Sequence, residues 1–106
     1  MLSALKQKIL ALSASDTNFY SDTIPPSPKV IESAIRFVEV VHSTFNVVPS
    51  PNIYCEDDCI VFEFWREGKK LSIYFRDLET RYFFNPSTGV INNKNDIIYV
   101  WSWFNK

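Results

Sequence analysis

The chain divides into stretches where apolar residues recur every three or four positions and stretches where they recur every second position. The first pattern is clearest at 28–45, where it is typical of one buried helical face. The apolar positions of that face are Ile31, Ala34, Ile35, Val38, Val41 and Phe45. Ser27 is a good N-cap and Pro28 suits the first helical position, so we predict a helix from about residue 28 to 45.

A shorter helical pattern stands near the start of the sequence. Its apolar positions are Leu2, Leu5, Ile9, Leu10 and Leu12. This spacing predicts a short amphipathic helix over 2–12. Residues 13–23 show no periodicity and are interpreted as an irregular linker, and we expect Phe19 and Tyr20 to hold that linker against the domain.

Alternation with a period of two appears at 59–67 (CIVFEFWRE) and again at 71–77 (LSIYFRD). Such alternation predicts two β-strands with one apolar side each. Between them, Gly68-Lys69 suits a type II′ hairpin turn, because glycine accepts a positive φ at the first central position. The pairs predicted by this turn are Phe64 with Ile73, Phe62 with Phe75, Trp65 with Ser72, Glu63 with Tyr74 and Val61 with Arg76.

The last third of the chain is less regular. Residues 82–85 predict a further strand, which the sequence PSTG at 86–89 would close as a turn. The segment 97–105 leaves two alternatives open, since its β-branched and aromatic residues favour a strand, whereas Asp96 favours a capped helix. The positions buried by that helix would be Ile97, Val100, Trp101 and Phe104.

These elements predict a single α+β domain over 1–106. Its first part, 1–23, holds the short helix and the linker. Its body, 24–106, holds one main helix packed on an antiparallel meander of about four strands, followed by an aromatic C-terminal segment. We detect no internal repeat and no low-complexity segment in the sequence.

Five short segments follow one another in a characteristic order: NFYSDT at 18–23, PSPKVIESAIRFV at 26–38, PSPNIY at 49–54, DD at 57–58 and IVFEFW at 60–65. In this order the chain resembles a loose group of small bacterial proteins built from an aromatic linker, a Pro-capped helix and a meander. That group is similar to proteins of mobile elements, phages and toxin–antitoxin loci. The resemblance implies a protein-binding role and a helix at 97–105. Asp58 departs from the pattern, which has glycine there, although aspartate tolerates the left-handed conformation better than most residues.

Composition and charge narrow the classes of function. The net charge is −1, which supplies no general attraction to nucleic acid or to an anionic membrane. No apolar run approaches the roughly 20 residues of a membrane span. The run at 9–12 is also shorter than the apolar segment of about 7–15 residues in a secretory signal. We therefore expect a cytoplasmic protein that contacts no membrane and keeps its thiols reduced.

Candidate chemistry is sparse. Cys55 and Cys59 enclose three acidic residues, but together with His42 they form an incomplete ligand set for zinc. We interpret the segment as a tight turn flanked by cysteines that act as small apolar residues, and we expect no metal and no cofactor. Glu63 and Glu67 lie about 13 Å apart along one strand, which is too far for paired acid catalysis. We therefore expect a protein that is not an enzyme.

The side of the meander opposite the main helix is the best candidate for binding, and we call it the outer face. The predicted strands place Glu63, Trp65, Tyr74 and Arg76 there, with Phe83 beside them. Trp, Tyr and Arg are the side chains that most often anchor protein interfaces. We expect these residues to bind a protein partner, with Trp101 and Trp103 as the next candidates. An alternative stays open, in which a terminal segment covers the outer face and Trp65 belongs to the core.

A meander could also bind two other kinds of partner, single-stranded nucleic acid or a second copy of the chain. Exposed aromatics beside basic residues suit a platform for single-stranded nucleic acid, the alternative function. Acidic residues at 63, 67, 77 and 79 nearly cancel the basic ones around them, so we rank nucleic acid below protein as the partner. An exposed strand edge, or the aromatic tail, also allows a twofold homodimer.

Overall fold

The structure, a computed structural model, describes residues 2–13, 26–56, 58–85 and 87–105. Its elements in chain order are α1 (Leu2–Leu10), a 3₁₀ turn (Ala11–Ser13), α2 (Pro28–Phe45), β1 (Asn52–Glu56), β2 (Cys59–Arg66), β3 (Lys69–Phe75), β4 (Thr80–Phe84), β5 (Ser87–Ile91) and α3 (Lys94–Phe104). The predicted α+β class is confirmed. The linker predicted at 13–23, with Phe19 and Tyr20, lies outside the described residues from position 14 onward, as does Asp57.

Helix α2 has the boundaries that the sequence predicts. The Ser27 hydroxyl accepts a hydrogen bond from the Val30 backbone N–H at 3.3 Å and donates one to the carboxylate of Asp77. The N-cap therefore also ties the start of the helix to the turn between β3 and β4. The helix ends at Asn46, whose φ of 56° lies in the left-handed region.

The strands form a single antiparallel sheet in the order β1-β2-β3-β4-β5. The sheet has five strands where about four were predicted, and the additional strand is β5. Phe84 pairs with Ser87, and Ser87 to Gly89 of the predicted turn belong to β5. Serine, threonine and glycine have low or mixed strand preferences, which explains why the alternation gave no signal there.

The predicted register between β2 and β3 is wrong by two residues. Both Glu67 and Gly68 have positive φ, at 49° and 78°, which is the conformation of a type I′ turn. Phe64 consequently pairs with Leu71 and Trp65 with Lys70. Because a shift of two residues preserves the alternation, every side chain still lies on the predicted face of the sheet.

The three helices lie against one face of this sheet, and Phe37 of α2 stands at the centre of the contact. Its ring lies 5.9–6.3 Å from four other aromatic rings. These rings are Phe62, Phe64, Phe75 and Trp101. Helix α1 completes the layer by burying Ile9 in the same core, and Lys6 forms an ion pair of 2.6 Å with Glu39 of α2.

The C-terminal segment is the helix that the resemblance implied. Its buried residues are Ile97, Val100, Trp101 and Phe104, as the helical alternative predicted. Asp96 is not the N-cap, however. Asn93 caps the helix by accepting from the Asp96 N–H at 3.1 Å, and the Asp96 carboxylate accepts from the Asn92 N–H at 2.8 Å. Among the described helices, none combines the length and the apolar character needed to cross a membrane.

We predict that Ser27→Ala lowers the free energy of unfolding by about 1–2 kcal/mol, because it removes the N-cap and the bond to Asp77. Ser43→Ala is the matched control, since the Ser43 hydroxyl only bonds the Val40 carbonyl on the exposed side of α2. We expect the control to change stability by less than about 0.5 kcal/mol. Urea unfolding followed by circular dichroism measures both, and equal effects would contradict the capping role.

Candidate functional site: the outer face of the sheet

The outer face is built by the residues of the five strands that alternate with the core residues. Its first cross-strand row contains Tyr54, Val61, Tyr74, Arg81 and Val90, and the second contains Glu63, Ser72, Phe83 and Thr88. Trp65 pairs with Lys70 at one end of the face, and Cys59 and Arg76 lie at the other end. Neither terminal helix covers this face, because α1 and α3 both pack in the layer with α2.

Three aromatic side chains on the outer face are exposed. Trp65 exposes 61% of its surface, Phe83 41% and Tyr54 38%. Trp65 is therefore not a core residue, and the alternative in which it is buried differs from the structure. Beneath these rings Val61 is fully buried and Ser72 nearly so, so their neighbours on the outer face cover them. The face is a packed layer with exposed aromatic groups rather than a bare strand surface.

A chain of polar contacts holds the first half of this layer. The Tyr54 hydroxyl donates a hydrogen bond of 2.9 Å to Glu63 Oε2. The same carboxylate oxygen lies 3.3 Å from Lys70 Nζ, and that ammonium lies 5.4 Å from the centre of the Trp65 ring. A cation this close to an indole face is attracted by the ring quadrupole. Glu63 and Lys70 therefore restrain the two exposed rings of Tyr54 and Trp65.

The second half is arranged around Tyr74. The Arg76 guanidinium lies 5.4 Å from the centre of the Tyr74 ring, and the Phe83 ring meets that ring edge-on at 5.2 Å. Edge-to-face pairs and cation–π contacts have preferred geometries, so they fix the ring positions. Arg81 at the far side of this group forms an ion pair of 2.9 Å with Glu79.

Tyr54 is held in its neutral form. Burial of the hydroxyl, followed by its hydrogen bond to Glu63, raises the pKa of Tyr54 far above the ordinary tyrosine value. The hydroxyl thus remains a donor throughout the physiological pH range.

The structure brings together four of the six residues predicted to bind a partner: Glu63, Trp65, Tyr74 and Arg76. Trp101 does not belong to this set, which corrects the prediction. It exposes only 8% of its surface and packs against the Phe64 ring at 5.0 Å, so it is a core residue. Trp103 is half-buried on the helical side of the sheet, where it contacts Phe84 at 4.8 Å.

Sequence reasoning missed two members of the outer face. Lys70 was overlooked because the type II′ register placed Ser72, rather than Lys70, opposite Trp65. Tyr54 was overlooked because β1 was treated as extended chain without a register. Tyr54 lies two residues before Glu56, so it could have been assigned to the outer face had Glu56 been paired with Cys59.

The two cysteines lie on opposite faces of the sheet. Cys55 pairs with Ile60 and packs against the core, whereas Cys59 pairs with Glu56 and shares a shallow depression with Arg76. Side chains on opposite faces of a hairpin do not point toward each other, as a disulfide would require. Among the described residues, no three His, Cys, Asp or Glu side chains are close enough to bind a metal ion.

Burial also makes both thiols unreactive. It raises the pKa of Cys55 to about 11, with the neighbouring Cys59 adding to the effect. Burial raises the pKa of Cys59 as well, although Arg76 opposes that change. His42, the third residue considered for zinc, lies near the end of α2 on the other side of the sheet from Cys59. These residues therefore form no common site.

Comparisons with known proteins found no matching family model, no matching curated protein and no matching solved structure.

We predict that the native protein reacts slowly with iodoacetamide at pH 8. With a pKa of about 11, roughly one thousandth of Cys55 is thiolate at that pH, so alkylation should be at least about 100-fold slower than in the unfolded chain. Mass spectrometry of samples quenched over time measures the rate for each thiol. Equal rates in native and unfolded protein, or a disulfide between Cys55 and Cys59, would contradict the assigned positions.

Adjacent residues of β2 provide a test of the two faces. We expect Phe64→Ala to lower the free energy of unfolding by about 3–5 kcal/mol, because it removes a buried ring from the aromatic core. Trp65→Ala should cost less than about 1 kcal/mol, since it removes an exposed ring and one cation–π contact. Urea unfolding of both variants makes the comparison, and a large loss in the Trp65 variant would show that the ring is buried in solution.

Proposed function

We propose that the chain is a small, non-enzymatic protein-binding module whose outer face captures a partner protein. The observation that carries the proposal is Trp65, a large ring that stands 61% exposed on a rigid sheet while charged neighbours hold it in place. An exposed tryptophan is costly to leave in water, and tryptophan is among the strongest anchors of protein interfaces.

The chemistry of the outer face supports a protein partner. Interface cores combine aromatic side chains with Arg and satisfied polar groups, and the outer face offers Trp65, Phe83, Tyr54 and Arg76 together. The contacts that restrain these rings also favour binding. Side chains already ordered in the free protein lose less conformational entropy when a complex forms.

The balance of charges on the outer face indicates what kind of partner surface would be complementary to it. Glu63 pairs with Lys70 and Glu79 with Arg81, so much of the charge on the outer face is neutralised internally. A complementary partner would present an apolar pocket for the rings with a mixed polar rim, rather than a strongly charged patch. The chain would act by steric occlusion, covering an active or assembly surface, as an antitoxin, an immunity protein or a phage-encoded inhibitor does.

Single-stranded nucleic acid is the competing ligand, because bases also stack on exposed rings of a sheet. Its affinity depends on cations that are free to contact phosphates. On the outer face Lys70 and Arg81 are already engaged by Glu63 and Glu79 at 3.3 and 2.9 Å, which disfavours that ligand. The experiment below distinguishes the two.

We predict that a benzophenone amino acid placed at position 65 cross-links one discrete protein when the chain is expressed in the organism that encodes it. Position 32 is the control, because Glu32 is exposed, as Trp65 is, but lies on α2 at the other side of the sheet. The adduct should form at 65, be absent at 32, and disappear when Phe83→Ala and Arg76→Ala are added.

Treating the adducts with nuclease and with protease separates the outcomes. An adduct at 65 that protease removes and nuclease leaves intact supports the module. An adduct that nuclease removes would favour the nucleic-acid platform. Equal labelling at 65 and 32, or no adduct at either position, would contradict a binding role for the outer face.

A further inference from the structure

The sheet has two edges that differ in how they are protected. β1 forms one edge and ends in the charged Glu56. β5 forms the other edge, and its sequence Ser-Thr-Gly-Val-Ile contains no charged residue. A proline directly precedes each strand in the sequence, Pro51 before β1 and Pro86 before β5, so charge is what distinguishes the two edges. Natural proteins often guard a free edge with charged side chains, because an edge without them pairs more readily with another strand.

The hydrogen-bonding groups on the free side of β5 can be identified from the register. Phe84 pairs with Ser87, three positions along the chain, as the bonded pair that closes a hairpin, and Tyr82 pairs with Gly89 two residues further from that end. Antiparallel pairs alternate between bonded and unbonded, so the N–H and C=O groups of Thr88 and Val90 point away from β4. These four groups form a self-complementary row about Gly89, the residue between them.

Helix α3 presents an aromatic flank toward the same edge. Trp101 contacts Phe64 on β2, whereas Trp103 contacts Phe84 on β4, so the helix axis lies between them and Trp103 is on the β5 side. The Tyr99 ring lies 5.9 Å from Trp103 on this flank, and Tyr99 exposes 62% of its surface. The exposed Tyr99 ring, packed on the half-buried Trp103 beside a strand edge without charged residues, marks a surface that is suited to contact another molecule.

We propose that β5 pairs antiparallel with β5 of a second copy of this chain, about a twofold axis at Gly89. The pairing joins two five-stranded sheets into one continuous sheet, with Thr88 opposite Val90 of the second copy. A twofold axis perpendicular to the sheet keeps the helices of both copies on one side. Tyr99 and Trp103 of each copy then flank the seam on that side.

The proposed dimer is compatible with the geometry of both faces. On the helical side, the Tyr82 ring fills the space above Gly89, where an added Cβ would lie 2.7 Å from Tyr82 Cε1. On the outer face, Trp65 and Lys70 belong to strands away from the seam and remain accessible. The dimer does not depend on the proposed function, since it uses a different strand and leaves Trp65 free.

Two double variants test the pairing and its register. In Thr88→Lys with Val90→Lys, like charges stand opposite each other twice across the axis. In Thr88→Lys with Val90→Glu, each lysine stands opposite a glutamate of the second copy. Asn52→Lys, an exposed outward position on β1, is the control for charge at the other edge. Sedimentation equilibrium measures the dimer dissociation constant, and circular dichroism confirms that each variant is folded.

The short interface predicts a wild-type dissociation constant between about 1 μM and 1 mM. We expect the variant with two lysines to raise this constant at least about tenfold and the Lys/Glu variant to lie within about threefold of wild type. Asn52→Lys should have no effect. A wild-type protein that stays a monomer of 12.4 kDa at about 1 mM would overturn the proposal, as would equal dimerisation of the two double variants.

Discussion

The docking of the Phe37 ring against the sheet determines most of the structure. This one side chain contacts Phe62, Phe64 and Phe75 on two strands and Trp101 on α3, at 5.9–6.3 Å. A ring in that position requires α2 to lie across the middle of the sheet and α3 to lie beside it. All the helices consequently occupy one face, and the aromatic residues that alternate with the core are left on the outer face. The proposed binding surface is thus a consequence of how the core closes.

Local signals in the sequence determined what could be predicted about the fold. The start of α2 was predicted correctly because Ser27 and Pro28 act through their own backbone neighbours. The faces of β2 and β3 were predicted correctly because alternation does not depend on register. The same reason explains why Glu63, Trp65, Tyr74 and Arg76 were assigned to one surface before their distances were known.

The remaining features depend on choices that local sequence does not determine. Gly68 satisfies a positive φ in both a type I′ and a type II′ turn, and only tertiary packing selects the former, with Glu67 also left-handed. The type I′ turn places Lys70 opposite Trp65, where the ammonium and the indole ring form the cation–π contact that restrains the ring. The burial of Trp101 likewise depends on α3 meeting Phe37, which no neighbouring residue of Trp101 encodes.

An exposed, ordered aromatic layer on the outer face is the feature from which the proposed function follows. The most direct measurement is the fluorescence difference between the wild-type protein and Trp65→Phe, which isolates the emission of Trp65 from that of the other two tryptophans. The expected difference spectrum has the emission of tryptophan in water and is quenched by acrylamide, because 61% of this residue is exposed. Blue-shifted emission that acrylamide does not quench would show that the outer face is covered in the free protein and would contradict its role as a binding surface.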